Sequence, residues 1–208
     1  MRFVIATWIV AALWCFAAPP IAAQTPERIV PLLPADSVAS LAWISLASDP
    51  QGDGLHPPLP DAKELFYAID AATDLIWFKV TLYGPVPERW FGMNVAFETD
   101  EHPNNRRVWW GTNKFNFDRL GTAYLQKTGD EWHGYVGVSD NTVRGSMNNV
   151  TMDVRVAVDR EHPAILLGIP RAAIGTMRTV RVIATVGSMM ANNDDVPNDG
   201  SVVVTLRP

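Results

Sequence analysis

Between Leu75 and Leu82 the chain alternates. Ile76, Phe78, Val80 and Leu82 make one wholly apolar parity, while Leu75, Trp77, Lys79 and Thr81 on the other turn polar toward the end. A period of two is what a half-buried strand requires, because successive side chains leave opposite faces of a sheet. The same period flanks this run. Leu65, Tyr67 and Ile69 share a parity upstream, and Phe91, Met93, Val95 and Phe97 share one downstream, opposed by Asn94 and Glu98. Ala71-Ala72-Thr73-Asp74 supplies the turn between the first two runs, and Gly84-Pro85-Val86-Pro87 breaks the chain before the third.

The rest of the chain repeats this material. Leu41 to Leu46 is a first strand, and Leu120 to Gln126 with Trp132 to Val138 predicts a hairpin around Thr128-Gly129-Asp130. From Val150 to Val158 the alternation is cleanest: Val150, Met152, Val154, Val156 and Val158 are expected inward, Thr151, Asp153, Arg155 and Ala157 outward. Ala164 to Ile169 is a continuous apolar run, read as a strand covered on both faces, and Pro170 to Gly175 as a helical turn. Val180 to Val186 and Val202 to Leu206 complete the set, separated by the acidic loop Asn192 to Gly200. About ten short strands without a long helical period predict an all-β fold, an antiparallel two-sheet β-sandwich of immunoglobulin-like or jelly-roll-like kind. A membrane barrel shares the alternation, but Lys79, Asp153, Arg155 and Arg181 fall on outward parities, where lipid would penalise charge.

The ends and the composition narrow the setting. Arg2 followed by the apolar run Phe3 to Ala18, then Ile21-Ala22-Ala23, reads as a signal peptide over residues 1–23. Trp14 before Cys15 is too large for a lipoprotein processing site. Residues 24–37, with Pro26, Pro31 and Pro34, are expected as an extended linker, and 38–208 as one domain. The expected location is periplasmic or secreted, with no stable membrane insertion after cleavage. The chain carries a single cysteine, Cys15, so the mature domain must hold by packing alone or with a metal. Removing Arg2 leaves 16 Lys and Arg against 22 Asp and Glu, a formal charge of −6. That acidity, with Arg106-Arg107 as the longest basic run, argues against nucleic acid or anionic lipid as a partner.

A family likeness follows the order of several loose motifs. Asp49-Pro50-Gln51-Gly52-Asp53-Gly54, Asp61-Ala62-Lys63-Glu64-Leu65, Asp70, and Asp74 through Val80 together resemble the opening of DOMON-like β-sandwich domains, family 9 carbohydrate-binding modules among them. Asn94 to Asp100 with Asn104-Asn105 is similar to the strand and polar loop those domains carry next, and Ile169 to Gly175 to their late strand-and-proline turn. The resemblance implies an exported, non-catalytic module that binds sugars or, in some branches, haem, often with structural calcium in the sugar binders.

Four sites can be weighed on residues. Calcium takes six to eight oxygens on a bent loop. One acidic loop offers Asp49 and Asp53, the other Asp194, Asp195, Asn198 and Asp199, and sandwich topology can bring the two together on one structural Ca2+. The plain alternative is that Asp and Asn cap their own turns. A carbohydrate platform would use Trp109 and Trp110, adjacent and so on opposite faces of a strand, with Arg107, Asn113, Asn116 and Asp118 around them. Against it, tryptophans such as Trp43, Trp77, Trp90 and Trp132 serve core or edge packing. Haem would need paired axial donors, whereas Met93 reads as core and His102, His133 and His162 are scattered. Glu98, Asp100 and Glu101 assemble no acid–base pair with a nucleophile, so no catalytic residue is expected. The leading expectation is therefore carbohydrate binding, and the alternative is an envelope or secreted interaction protein with a protein partner and no small ligand.

Overall fold

Phe78 and Phe97 meet edge to face, ring centroids 5.5 Å apart, in the space between two β-sheets. A computed structural model describes residues 28–56, 59–99, 115–140, 148–188 and 192–207. Over these the chain forms fourteen strands: β1 (Arg28–Ile29), β2 (Leu32–Pro34), β3 (Ile44–Ser48), β4 (Ala62–Asp70), β5 (Leu75–Leu82), β6 (Trp90–Glu98), β7 (Arg119–Thr128), β8 (Glu131–Asp140), β9 (Asn148–Thr151), β10 (Arg155–Asp159), β11 (Ala164–Pro170), β12 (Thr179–Gly187), β13 (Asn192–Val196) and β14 (Val202–Thr205). A single helical turn, α1 (Arg171–Ile174), follows β11.

One sheet of eight strands runs β1-β8-β7-β6-β12-β13, with β9 added to β8 and β14 to β12. The other, of six, runs β2-β10-β11-β5-β4-β3. All pairings are antiparallel except β2 with β10. The two sheets bury a shared core built from the inward parities: Ile76, Phe78 and Val80 of β5 against Met93, Val95 and Phe97 of β6. This is a β-sandwich, as the alternation predicted.

The turns are where sequence chemistry is easiest to see. Asp74 closes the β4–β5 turn with φ of 56°, a left-handed conformation that Asp tolerates, and Gly129 at 64° does the same for the β7–β8 hairpin. Gly168 is required by packing instead, since a Cβ there would lie 2.7 Å from the indole of Trp77.

Three expectations need correction. Val150 to Val158 is not one strand. Thr151 Oγ1 accepts the Asp153 N–H at 3.0 Å, turning the chain there, so β9 pairs with β8 in one sheet and β10 with β11 in the other. Val150 is consequently exposed and Ala157, expected outward, is buried. Alternation cannot reveal such a crossing, because both halves keep the period. Second, the approach segment is extended but not free: Arg28–Ile29 pairs with β8, and Leu32–Pro34 pairs with β10. The short 3-10 turn Ala35–Val38 then packs with Leu41 and Trp43 over Leu75, Trp77, Ala157 and Leu166, which explains why the second parity of β5 is buried. Third, the first half of the acidic loop is a strand, β13. Asp and Asn disfavour strands, but here β12 supplies a ladder and the β3–β4 region supplies side-chain partners.

Candidate metal centre

The two acidic loops meet at one edge of the sandwich. In the eight-stranded sheet that edge is β13, and in the six-stranded sheet it is β3 and β4. Val196 of β13 faces the core, and Asp194 shares its parity, opposite Val186 of β12. The carboxylate of Asp194 therefore enters the space between the sheets. Its Oδ2 accepts the backbone N–H of Ala62, at the start of β4, at 2.6 Å.

Asp49 comes from the other side, one residue beyond β3. Its N–H extends the ladder to Lys63 at 2.9 Å, and its carbonyl accepts the Tyr83 hydroxyl at 2.8 Å. The backbone is thus fixed while the carboxyl group is not. Asp49 is 4% exposed, and neither Oδ1 nor Oδ2 has a hydrogen-bond donor. Asp53 reaches the same point after Gly52, whose φ of 86° bends the loop and whose N–H is held by Asp61 Oδ2 at 2.9 Å. Carboxylate oxygens of Asp49, Asp53 and Asp194 all lie within 4.8 Å of one another. The remaining oxygen of Asp61, Oδ1, is also buried without a donor.

The loops are joined around these groups. Asn193 Nδ2 donates to Pro60 O at 2.8 Å, its Oδ1 accepts the His56 N–H at 2.5 Å, and its carbonyl accepts the Leu55 N–H at 2.9 Å. Gly54 has to be glycine for this approach, as a Cβ would stand 2.6 Å from Asn193 Nδ2. Asn198 Nδ2 donates to Asp53 Oδ2 at 2.6 Å.

The electrostatic consequence is severe. Burial, reinforced by the like charges of Asp53, Asp61 and Asp195, pushes the Asp49 carboxyl up to about 7. Burial likewise pushes Asp194 up to about 8, with Asp49 and Asp53 adding to it and the Ala62 N–H opposing it. Asp53, Asp61 and Asp195 all raise the Asp49 carboxyl, Asp53 also through a side-chain contact with it. Such a cluster accepts either protons or a hard cation. Oxygens within 4.8 Å of one another are close enough to share one ion, since Ca–O distances of about 2.3–2.6 Å hold ligands on one ion no more than roughly 5 Å apart. Asp49, Asp53 and Asp194 could together hold one hard cation through oxygen ligands.

The expected residues are distributed unevenly around this centre. Asp49, Asp53 and Asp194 converge. Asp195 is buried one position along β13, opposite Thr185, while Asn198 orients Asp53 and Asp199 is exposed in the following turn. Asp61, which the sequence places only in the Asp61-to-Leu65 motif of the resemblance, joins the cluster in the fold.

Of the aromatic platform, Arg107, Trp109, Trp110 and Asn113 lie outside the described residues. Asn116 is exposed. Asp118 is buried, and its Oδ2 accepts the N–H and hydroxyl of Thr99 at 2.9 and 2.8 Å, bracing the ends of β6 and β7. Met93 is in the core, His133 pairs with Glu131 at 3.4 Å, and Glu98 pairs with Arg181. Comparison with family models, with curated proteins and with solved structures finds no match to this chain.

Proposed function

We propose that this protein is an exported, non-catalytic binding module whose sandwich edge is closed by a structural calcium ion held by Asp49, Asp53 and Asp194, with Asp61 beside them. The observation that carries this reading is Asp49: a buried carboxyl group with no donor on either oxygen, facing two further carboxylates. A buried charge without a partner is costly, and the cheapest partner compatible with an all-oxygen site on bent loops is Ca2+ rather than the strictly octahedral Mg2+. The ion would neutralise the cluster and tie the loop after β3 to the loop after β13. It supplies no chemistry beyond that.

The ligand class that accompanies this reading is carbohydrate, supported by the resemblance to DOMON-like modules and by the polar, aromatic-rich composition of the Arg107 to Asp118 stretch. The deciding measurement is thermal melting of the mature protein in calcium and in chelator. A ligand at a hundred times its Kd stabilises by about 2.7 kcal/mol, which in a domain of this size is roughly 5–11 °C in Tm. Coincident melting curves would remove the calcium site.

A further inference from the structure

At the opposite edge of the sandwich, where β8 and β7 approach β2 and β10, lies an open cleft of about 1020 Å3. Two tryptophans line it. Trp132 packs on Phe91 with centroids 5.1 Å apart, leaving its ring half-buried at the mouth of the core, and Trp90 is half-buried at the start of β6. Strand register puts Lys127 opposite Trp132 on the face that Phe91 and Leu125 turn to the core, and Gln126 opposite Trp90 on the other face of the sheet. Arg89 follows through its carbonyl, which accepts the Lys127 N–H at 2.7 Å. Arg160 closes the far lip and donates one N–H to Val86 O at 3.1 Å.

The charge here runs against the rest of the molecule. The chain carries −5 overall, yet Arg89, Lys127 and Arg160 face the cleft against the single carboxylate of Glu88. Among the described residues, neither Arg89 nor Lys127 has an ion-pair or side-chain hydrogen-bond partner. Asp159, the nearest acid in sequence to Arg160, spends Oδ1 on the N–H groups of Glu161 and His162. A concave site of this volume falls at the upper end of small-ligand pockets, which run to about 1,000 Å3.

We infer that this cleft binds an acidic saccharide, a ring-shaped polyol bearing a carboxylate. The Trp132 indole offers a face for apolar C–H surface, the unneutralised cations take the carboxylate, and Glu88 takes hydroxyls. Glu88 also discriminates, since it repels a ligand with charge on every face and accepts from a ligand with hydroxyl donors. The inference rests on the binding-module reading for saccharide as the ligand class, and otherwise stands on the cleft alone.

The test is calorimetric and fluorescence titration of the mature protein, in calcium, with short oligogalacturonates and with the same oligosaccharides after carboxyl reduction. Arg89→Glu/Lys127→Glu serves as the variant, both positions being exposed and its fold checked by a wild-type melting temperature. The expected result is a tryptophan response to the acidic oligosaccharides that weakens roughly tenfold or more in the variant and in the carboxyl-reduced ligand. No binding of oligogalacturonate, or binding unmoved by the double charge reversal, overturns the inference. Binding of the neutral ligand alone, unaffected by the variant, overturns the cleft while leaving carbohydrate as the ligand class. Melting in calcium against chelator judges the metal centre without any saccharide present.

Discussion

The backbone N–H of Ala62 donates to the carboxylate of Asp194, joining positions 132 residues apart in a buried hydrogen bond of 2.6 Å. It ties the first strand of the β4–β5 hairpin to the edge of the opposite sheet. Between them these two residues place the carboxylate cluster in the seam of the sandwich rather than on its surface. The seam has two components, a neutral clasp and a charged cluster, and they respond differently to substitution.

The neutral clasp is Asn193. Its side chain serves both the Pro60 carbonyl and the His56 N–H from a position 3% exposed. Asn193→Ala leaves two backbone groups without partners, each costing about 1–3 kcal/mol when buried. Chemical denaturation should therefore show a loss of roughly 2–6 kcal/mol, in calcium and in chelator alike. A loss confined to one condition would mean that Asn193 acts through the ion.

The charged cluster should behave in the opposite way. Asp49→Asn keeps the shape and removes one of the mutually repelling charges. In chelator at pH 8 the variant should melt at or above the wild-type temperature, whereas the wild-type gain of roughly 5–11 °C on adding calcium should disappear. Thermal melts of both proteins in both conditions check this. A variant that melts far below wild type in chelator would show that the Asp49 carboxylate has a stabilising partner within the chain.

Core packing sets the scale for these effects. Phe78 is fully buried against Phe97 across the two sheets. Phe78→Ala removes an aromatic ring from a dense interior and should cost about 3–5 kcal/mol, read from the denaturation midpoint. A loss under about 1 kcal/mol would mean that the sheets close over the vacated volume.

Strand positions were legible because alternation is local. Ile76, Phe78 and Val80 declare their face within eight residues, and the Gly129 turn declares its hairpin. Sheet membership was not legible, because β9 and β10 carry one unbroken period while belonging to different layers. The same limit applies to the sites. Asp49, Asp53 and Asp194 stood out as acids on loops, and the meeting of their loops followed from sandwich topology. Asp61 and the Arg89–Lys127–Arg160 group did not stand out, since each meets its neighbours only when segments far apart in sequence converge. Trp90 and Trp132 read as packing residues, and Trp132 does pack on Phe91. What sequence could not show is that these residues also line an open cleft.

The pH dependence of the carboxylate cluster follows from the direction of its shifts. Asp49 and Asp194 are raised from 3.8 to about 7 and about 8 in the folded chain without metal, so between those limits the folded state holds more protons than the unfolded one. Stability must then fall as pH rises through this window. The contribution is fully present below about pH 4, where both states are protonated, and is lost as pH passes the folded values near 7 and 8. Calcium bound at these carboxylates would reverse the slope, because binding requires the ionised groups and releases their protons. In chelator, then, the part of Tm governed by these groups should decline from pH 5 toward pH 8. The increment due to calcium should be near zero at pH 5 and grow to its full value by about pH 8. Differential scanning calorimetry across that range, with and without the ion, measures both slopes. A calcium increment that is independent of pH would place the ion on groups other than Asp49 and Asp194.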